Sequence, residues 1–190
     1  MMAKIAIILT PHFADWEYAL IAGTGRPFYG LDVQFFTPAP GELQSLGGLT
    51  VRVPQGLEAM NQWAPEVVVV IGGTLWESED APDIGEVLRA HHARGAVVAG
   101  ICGGTLALAR AGMLDAIPHT SNEAEYLTLN AQEYTGAEHF CPSATAVSTD
   151  RVITAPGVAP VSFTAAIFES IGLDQNTVLQ FKNMLAAEHN

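Results

Sequence analysis

Positive charge is what this sequence has least of. Eight lysines and arginines stand against 20 aspartates and glutamates, a formal charge of −12 over 190 residues. Such a surface repels phosphate backbones, and no basic run or aromatic-basic interleaving offers a local exception. Nucleic acid is therefore not an expected partner. Long hydrophobic runs are missing too: Val67–Ile71 and Ala96–Ala99 are among the longest, far short of the roughly 20 residues that cross a bilayer. No membrane association is expected. The apolar start from Ile5 to Leu9 soon meets Pro11-His12, which reads as a first strand rather than a secretory signal. There are only two cysteines. With no signal segment, and with one of them expected to be a reactive thiol, they imply a reducing, cytoplasmic setting. Repeats, linkers and low-complexity segments are absent. Apolar residues make up 49% of the chain and are spread along it, so residues 1–190 are expected to form one domain with a substantial core.

What is present is alternation. Lys4–Leu9 reads as a strand, Asp15 as the N-cap of a helix from Trp16 to about Ala22, and Asp32–Thr37 as a second strand after Gly30. Gly47–Val53 suggests a small hairpin or edge strand. Val67–Ile71 is a continuous β-branched run ending in Gly72-Gly73, the pattern of a strand buried on both faces. Asp83–Arg94 has helical spacing with Gly95 as its C-cap, and Ala96–Ile101 leads into a helix closing at Gly112. Ala144–Ser148 and Val152–Thr154 pair around Asp150-Arg151, and helices follow at Val161–Ser170 and Thr177–Glu188. Alternating βα units predict an α/β fold with a doubly wound, mostly parallel sheet. Its site is expected beyond the carboxyl ends of the strands.

The strongest local signal is Gly100-Ile101-Cys102-Gly103-Gly104, set between an apolar strand and a helix-forming run. It is the cysteine form of the strand–nucleophile–helix elbow, in which glycines permit a sharp turn that lifts one reactive side chain to the sheet edge. A thiol there lies by a helix N-terminus, whose partial positive charge favours thiolate. A small core cysteine is the plainer alternative, but Gly103-Gly104 weakens a helix start and needs a reason to be there. Cys102 is therefore the expected reactive centre.

Other candidates surround it. The Gly73 and Gly103 backbone N–H groups can stabilise an oxyanion, although Gly72-Gly73 also suits a simple tight strand exit. Glu17, in Phe13-Ala14-Asp15-Trp16-Glu17, can meet the thiol across the sheet edge. Ionised, it would raise the thiol pKa; protonated, it would donate to the thiolate. Asp15 competes for that role but its spacing suits the cap better. His119 follows the elbow helix and is a candidate general acid or base. His91-His92 read as a solvated pair on a helix face. His139 and Cys141 form at most a weak metal pair without a third ligand, so no metal is expected. Trp76-Glu77 is placed on the cleft wall, or with Trp76 packed on the sheet.

With those residues in hand, the chain resembles the ThiJ/PfpI superfamily, whose fold is flavodoxin-like and similar to class I glutamine amidotransferases. The resemblance rests on Phe13–Glu17, Gly72-Gly73, Gly100–Gly104 and His119. It implies that Cys102 is the reactive residue, that Glu17 is its hydrogen-bonding partner, and that the protein is a homodimer with the site near the subunit interface. Two departures narrow the chemistry. Class I glutaminases carry a late His-x-Glu pair, whereas Thr154–Gly157 holds no histidine and Glu188-His189 has the reverse order. The protease-like branch has histidine directly after the cysteine, where this chain has Gly103. Glutaminase and peptidase activities are thus not expected. The leading expectation is a cofactor-independent cysteine enzyme acting on a small electrophile by glyoxalase-, deglycase- or hydratase-type chemistry. The alternative is a non-enzymatic redox sensor or stress-protective protein that stops at sulfenic or sulfinic acid.

Overall fold

Valine fills the middle of the molecule. Val67–Val70 form a strand in which every residue is buried, as suits β-branched side chains covered on both faces. A computed structural model describes residues 2–187. In chain order the elements begin with β1 (Lys4–Ile8), α1 (Asp15–Tyr29), β2 (Asp32–Phe36), β3 (Gly41–Gln44), β4 (Thr50–Val53), α2 (Leu57–Trp63) and β5 (Val67–Val70). They continue with α3 (Gly85–Ala93), β6 (Val97–Ile101), α4 (Gly104–Arg110), α5 (Ala124–Asn130), β7 (Val147–Thr149), β8 (Val152–Ala155), α6 (Pro160–Ser170) and α7 (Gln175–Ala186). Short 3-10 turns cover Thr74–Glu77 and Ala137–His139.

The main sheet has the order β2-β1-β5-β6-β8-β7, parallel throughout except for β7, which runs antiparallel to β8. The fold is therefore the expected doubly wound α/β sheet. Alternate strand residues feed two apolar layers. Ile5, Ile7, Val67 and Val69 pack with Ile21, Phe163, Phe168 and Phe181 on one side. Ala6, Ile8, Val68 and Val70 pack with Met60, Leu88, Leu106 and Leu108 on the other. Chain direction reverses its walk across the sheet between β1 and β5, and a crevice forms beyond the strand ends at such a point. Among the described residues, no helix is long and apolar enough to cross a membrane.

Local expectations change in informative ways. Asp15 does not cap α1: Ala14 holds the N-cap position without a side-chain bond. The Asp15 carboxylate instead accepts the Gly47 N–H at 2.8 Å, tying α1 to the separate β3–β4 hairpin. The helix runs beyond Ala22 to Gly30, whose left-handed φ of 64° ends it. α2 and α5 escape sequence reading because seven residues give too short a period to register. The β7–β8 turn falls at Asp150-Arg151 with φ of 54° and 61°, the positive pair that tight hairpins need. His91 is not solvated but buried. The last helix is observed as Gln175–Ala186, with the Asp174 carboxylate accepting the Thr177 N–H; Glu188 and His189 lie outside the described residues.

Candidate active site

β6 ends in a forced turn. Cys102 sits at φ 53°, a left-handed conformation that costs a non-glycine residue about 1–2 kcal/mol. The turn is held from three directions. The Cys102 N–H donates to Ala155 O at 3.0 Å, extending the β6–β8 pairing by one bond. The Thr105 hydroxyl donates to Cys102 O at 2.6 Å and accepts from Ser121 Oγ at 2.6 Å. Gly104 lies so close to Val70 O that a Cβ there would collide with it. The glycine after the elbow thus lets α4 start directly against β5, and the structure compels this residue type.

Three strand ends converge on the sulfur. Glu17 projects from the first turn of α1 and is fully buried. Its Oε2 accepts the Gly72 N–H at 2.7 Å, just past β5. Its Oε1 is buried without a well-formed hydrogen bond and borders the same Gly157 backbone as the sulfur. Gly157, just past β8, completes the cradle: a Cβ there would be 3.0 Å from both Cys102 Cβ and Sγ and 3.3 Å from Glu17 Oε1. Glycine is what lets the backbone lie against the sulfur.

The electrostatics follow from this enclosure. Burial pushes the Glu17 carboxyl up to about 7, against the stabilising Gly72 N–H. Burial, and then the Glu17 charge, push the Cys102 thiol up to about 11, while Asn122 and the Gly103 N–H act in the opposite sense. The expectation of a thiol favoured as thiolate by the helix start is therefore corrected. α4 is only seven residues long, and its field is outweighed by desolvation and a neighbouring carboxylate. The two groups titrate as a pair, so a proton moves between them with little change in local charge.

The remaining expected residues divide. The Gly103 N–H faces the sulfur, and Gly73 lies alongside, since a Cβ on Gly103 would be 3.1 Å from Gly73 N. His119 is elsewhere engaged. Its ring is fully buried, with Nδ1 2.7 Å from Ile117 O and Nε2 2.6 Å from Tyr134 Oη. A carbonyl only accepts, so Nδ1 carries the proton and Nε2 accepts the tyrosine O–H. Both nitrogens are spent, and burial holds the ring neutral by lowering its pKa. The expected proton transfer by His119 at the thiol has no free nitrogen to perform it. Cys141 rests its Sγ on His139 O at 3.6 Å rather than on the ring. Trp76 is buried with Nε1 donating to Ile71 O, the packed alternative, while Glu77 is exposed.

The residue that sequence reading missed is Asn122. Its Nδ2 donates to Cys102 Sγ at 3.3 Å, and its Oδ1 accepts the Gly157 N–H at 2.9 Å. The exposed Trp16 indole adds a donation to Gly157 O at 2.9 Å. The available signal is His119-Thr120-Ser121-Asn122, three polar residues in a row after the histidine. The arrangement can activate a thiol through a carboxyl, bond its sulfur through an amide, and present two backbone N–H groups to a developing oxyanion.

Comparison with known proteins finds relatives along nearly the whole chain. A DJ-1 superfamily protein, Atu0886 from Agrobacterium tumefaciens, is 35% identical, with a TM-score of 0.93 and full coverage of both chains. A thiJ/pfpI family protein from Bacillus anthracis is 27% identical, with a TM-score of 0.83 over 97% of this chain and 90% of that one. In Bacillus subtilis (strain 168), the uncharacterized protease YoaZ is 30% identical over 180 residues, 88% of this chain and 83% of that protein. The DJ-1/PfpI family pattern matches residues 3–170, a span that takes in β1, the elbow and the Gly157 loop, and the chain therefore belongs to the DJ-1/PfpI family.

Proposed function

We propose that this protein is a cofactor-independent cysteine enzyme acting on small electrophiles, with Cys102 as nucleophile, Glu17 as its proton partner, and the Gly73 and Gly103 N–H groups as oxyanion donors. One observation carries the reading: the fully buried Glu17 keeps Oε1 without a well-formed hydrogen bond beside the sulfur. An unsatisfied buried carboxyl oxygen costs about 1–3 kcal/mol or more, and a proton-transfer role accounts for its retention. In the first step Sγ bonds to the carbonyl carbon while its proton passes to Glu17 Oε1. The C=O π pair moves to oxygen, where the two amides receive it, and the Glu17 proton is then returned to that oxygen. The product of this step is a hemithioacetal, containing all the atoms of thiol and aldehyde. The step suits glyoxalase- and deglycase-type reactions; on an isonitrile, hydratase-type chemistry begins with the same thiol addition but gives a thioimidate, the Glu17 proton passing to carbon.

The sensor alternative would use the same thiol, and the unsatisfied Glu17 oxygen that supports proton transfer gives it no support of its own. Similarity to the uncharacterized protease YoaZ does not extend to peptidase chemistry in this reading, since Gly103 stands directly after the cysteine. The reading includes a homodimer and a cytoplasmic setting. Exposed Trp16, Leu46 and Val158 near the Gly157 loop supply apolar surface for such an interface; light scattering on the purified chain tests it. Consumption of methylglyoxal, with a panel of small amides and isonitriles, tests the enzyme. Wild type is expected to turn over at least one, and Cys102→Ser to lose at least 100-fold; equal rates for the two would overturn the proposal.

A further inference from the structure

Two walls touch the thiol, and a side-chain hydrogen bond joins them at their far ends. One wall starts at Asn122, on Sγ, and reaches Tyr126 one helical turn later on α5. The other starts at Gly103, where a Cβ would lie 3.3 Å from Trp76 Cδ1, and passes to the next residue, Glu77. The Tyr126 O–H donates to Glu77 Oε1 at 2.9 Å and closes the ring. Tyr126 is half-buried, and its pKa is raised first by burial, then by the Glu77 bond and charge, and also by the charges of Cys102 and Glu17. Charges from both ends of the ring therefore act on one phenol.

We propose that the Glu77–Tyr126 pair sets the charge selectivity of the thiol site, admitting neutral and cationic electrophiles to Cys102 and turning carboxylates away. This rests on the reading of Cys102 as the reactive thiol. The phenol proton is committed to Glu77, so the phenol oxygen has only lone pairs to offer an incoming group. Glu77 brings a full negative charge, and it also lines an open cleft of about 510 Å³ whose wall carries Glu79, Asp83 and Glu133. The nearby cation is Arg110, one positive charge beside the four carboxylates Glu77, Glu79, Asp83 and Glu133 that line the same cleft. Its Nη2 donates to Trp76 O and Asn130 O at 2.8 Å each, binding the two walls from behind, and the Glu133 charge acts on it. A carboxylate-bearing substrate would add a further negative charge to this ring and to the reacting thiolate.

The test needs no turnover. In a Cys141→Ser background, Cys102 is alkylated with iodoacetamide, iodoacetate or 2-bromoethylamine, and the rates are followed by intact mass. All three react with the thiolate, so their ratios cancel the thiolate fraction. The iodoacetamide-to-iodoacetate ratio is expected to exceed that of N-acetylcysteinamide by about five-fold or more. Glu77→Gln, whose amide oxygen still accepts from Tyr126, is expected to reduce that excess several-fold. Glu66→Gln, the same loss of charge at the amino end of β5, is expected to leave it unchanged. A ratio equal to that of the free thiol, or one indifferent to Glu77→Gln, overturns the proposal. If Glu77→Gln does not fold, 0.5 M KCl must narrow the wild-type ratio, and a salt-independent ratio overturns it instead. No alkylation by any reagent would sink both this inference and the reactive thiol. Charge discrimination without turnover of any substrate would leave this inference standing and remove only the enzyme.

Discussion

The two ends of the sheet treat a buried titratable group in opposite ways. At the amino end, near the start of β6, the buried His91 is fully satisfied. Nε2 lies 2.8 Å from Asn61 Oδ1 and Nδ1 lies 3.1 Å from Arg94 Nη2. Burial, and then the Arg94 charge, push its pKa down to about 4, so it stays neutral. At the carboxyl end, Glu17 is buried as completely but has one oxygen bonded and one left facing a thiol. The first is a polar network that closes on itself and serves the fold. The second is left open toward a reacting group. Saturation of hydrogen bonds, rather than burial or perturbed pKa, is what separates them, and by that criterion His119 belongs with His91.

The comparison can be broken at either end. The largest effect is expected from Glu17→Gln: activity on the responsive substrate falls 10²–10⁴-fold, roughly the contribution of a positioned general acid or base. The same variant gains about 1–3 kcal/mol of stability at pH 8, read by urea unfolding. A variant losing both activity and stability would make Glu17 merely structural. Next is His91→Leu, which strands Asn61 and Arg94 and should cost about 2 kcal/mol with activity intact. A loss of activity without loss of stability would contradict its structural place.

The pH dependence sharpens the contrast. Glu17 is raised from 4.5 to about 7, so the native state binds more protons in that window and stability falls as pH rises through it. His91 is lowered from 6.5 to about 4, so the unfolded state binds more protons there and stability falls as pH drops. Between about 4.5 and 6.5 the two slopes oppose each other. Burial lowers the His119 pKa as well, so the slope of unfolding free energy against pH in this window is expected to be more positive in Glu17→Gln, and less positive in His91→Leu, than in wild type. The smallest effect is expected from Tyr134→Phe, which takes away the donor to His119 Nε2: about 1 kcal/mol, and less than two-fold in activity.

The fold was largely legible because its signals are chemical and local. Continuous β-branched strands, Gly30 ending α1 and the Asp150-Arg151 turn all follow from short-range rules. So did the elbow, where two glycines around one cysteine leave few other meanings. The rest depends on long-range placement. Nothing in Asn122 alone tells that it reaches a sulfur 20 residues earlier and a backbone N–H 35 residues later. Glu17 was identifiable as a partner, but its raised pKa comes from burial that only the folded chain supplies, against the Gly72 N–H that lowers it. His119 misled because an isolated histidine carries the same symbol whether its nitrogens are free or spent. Asp15 misled similarly, since Gly47 on a distant hairpin claims its carboxylate.

The indole of Trp16 gives the site an optical readout of its own. Of the three tryptophans, Trp76 is fully buried, and Trp63 packs on Phe36 with the Lys4 ammonium over its ring. Trp16 is 51% exposed and is bonded to the very peptide that covers the sulfur. Its emission should therefore be the red-edge, quencher-accessible component of the fluorescence. Occupancy of the thiol site would register there as a shift in intensity, giving a label-free titration for ligands that are bound but never turned over.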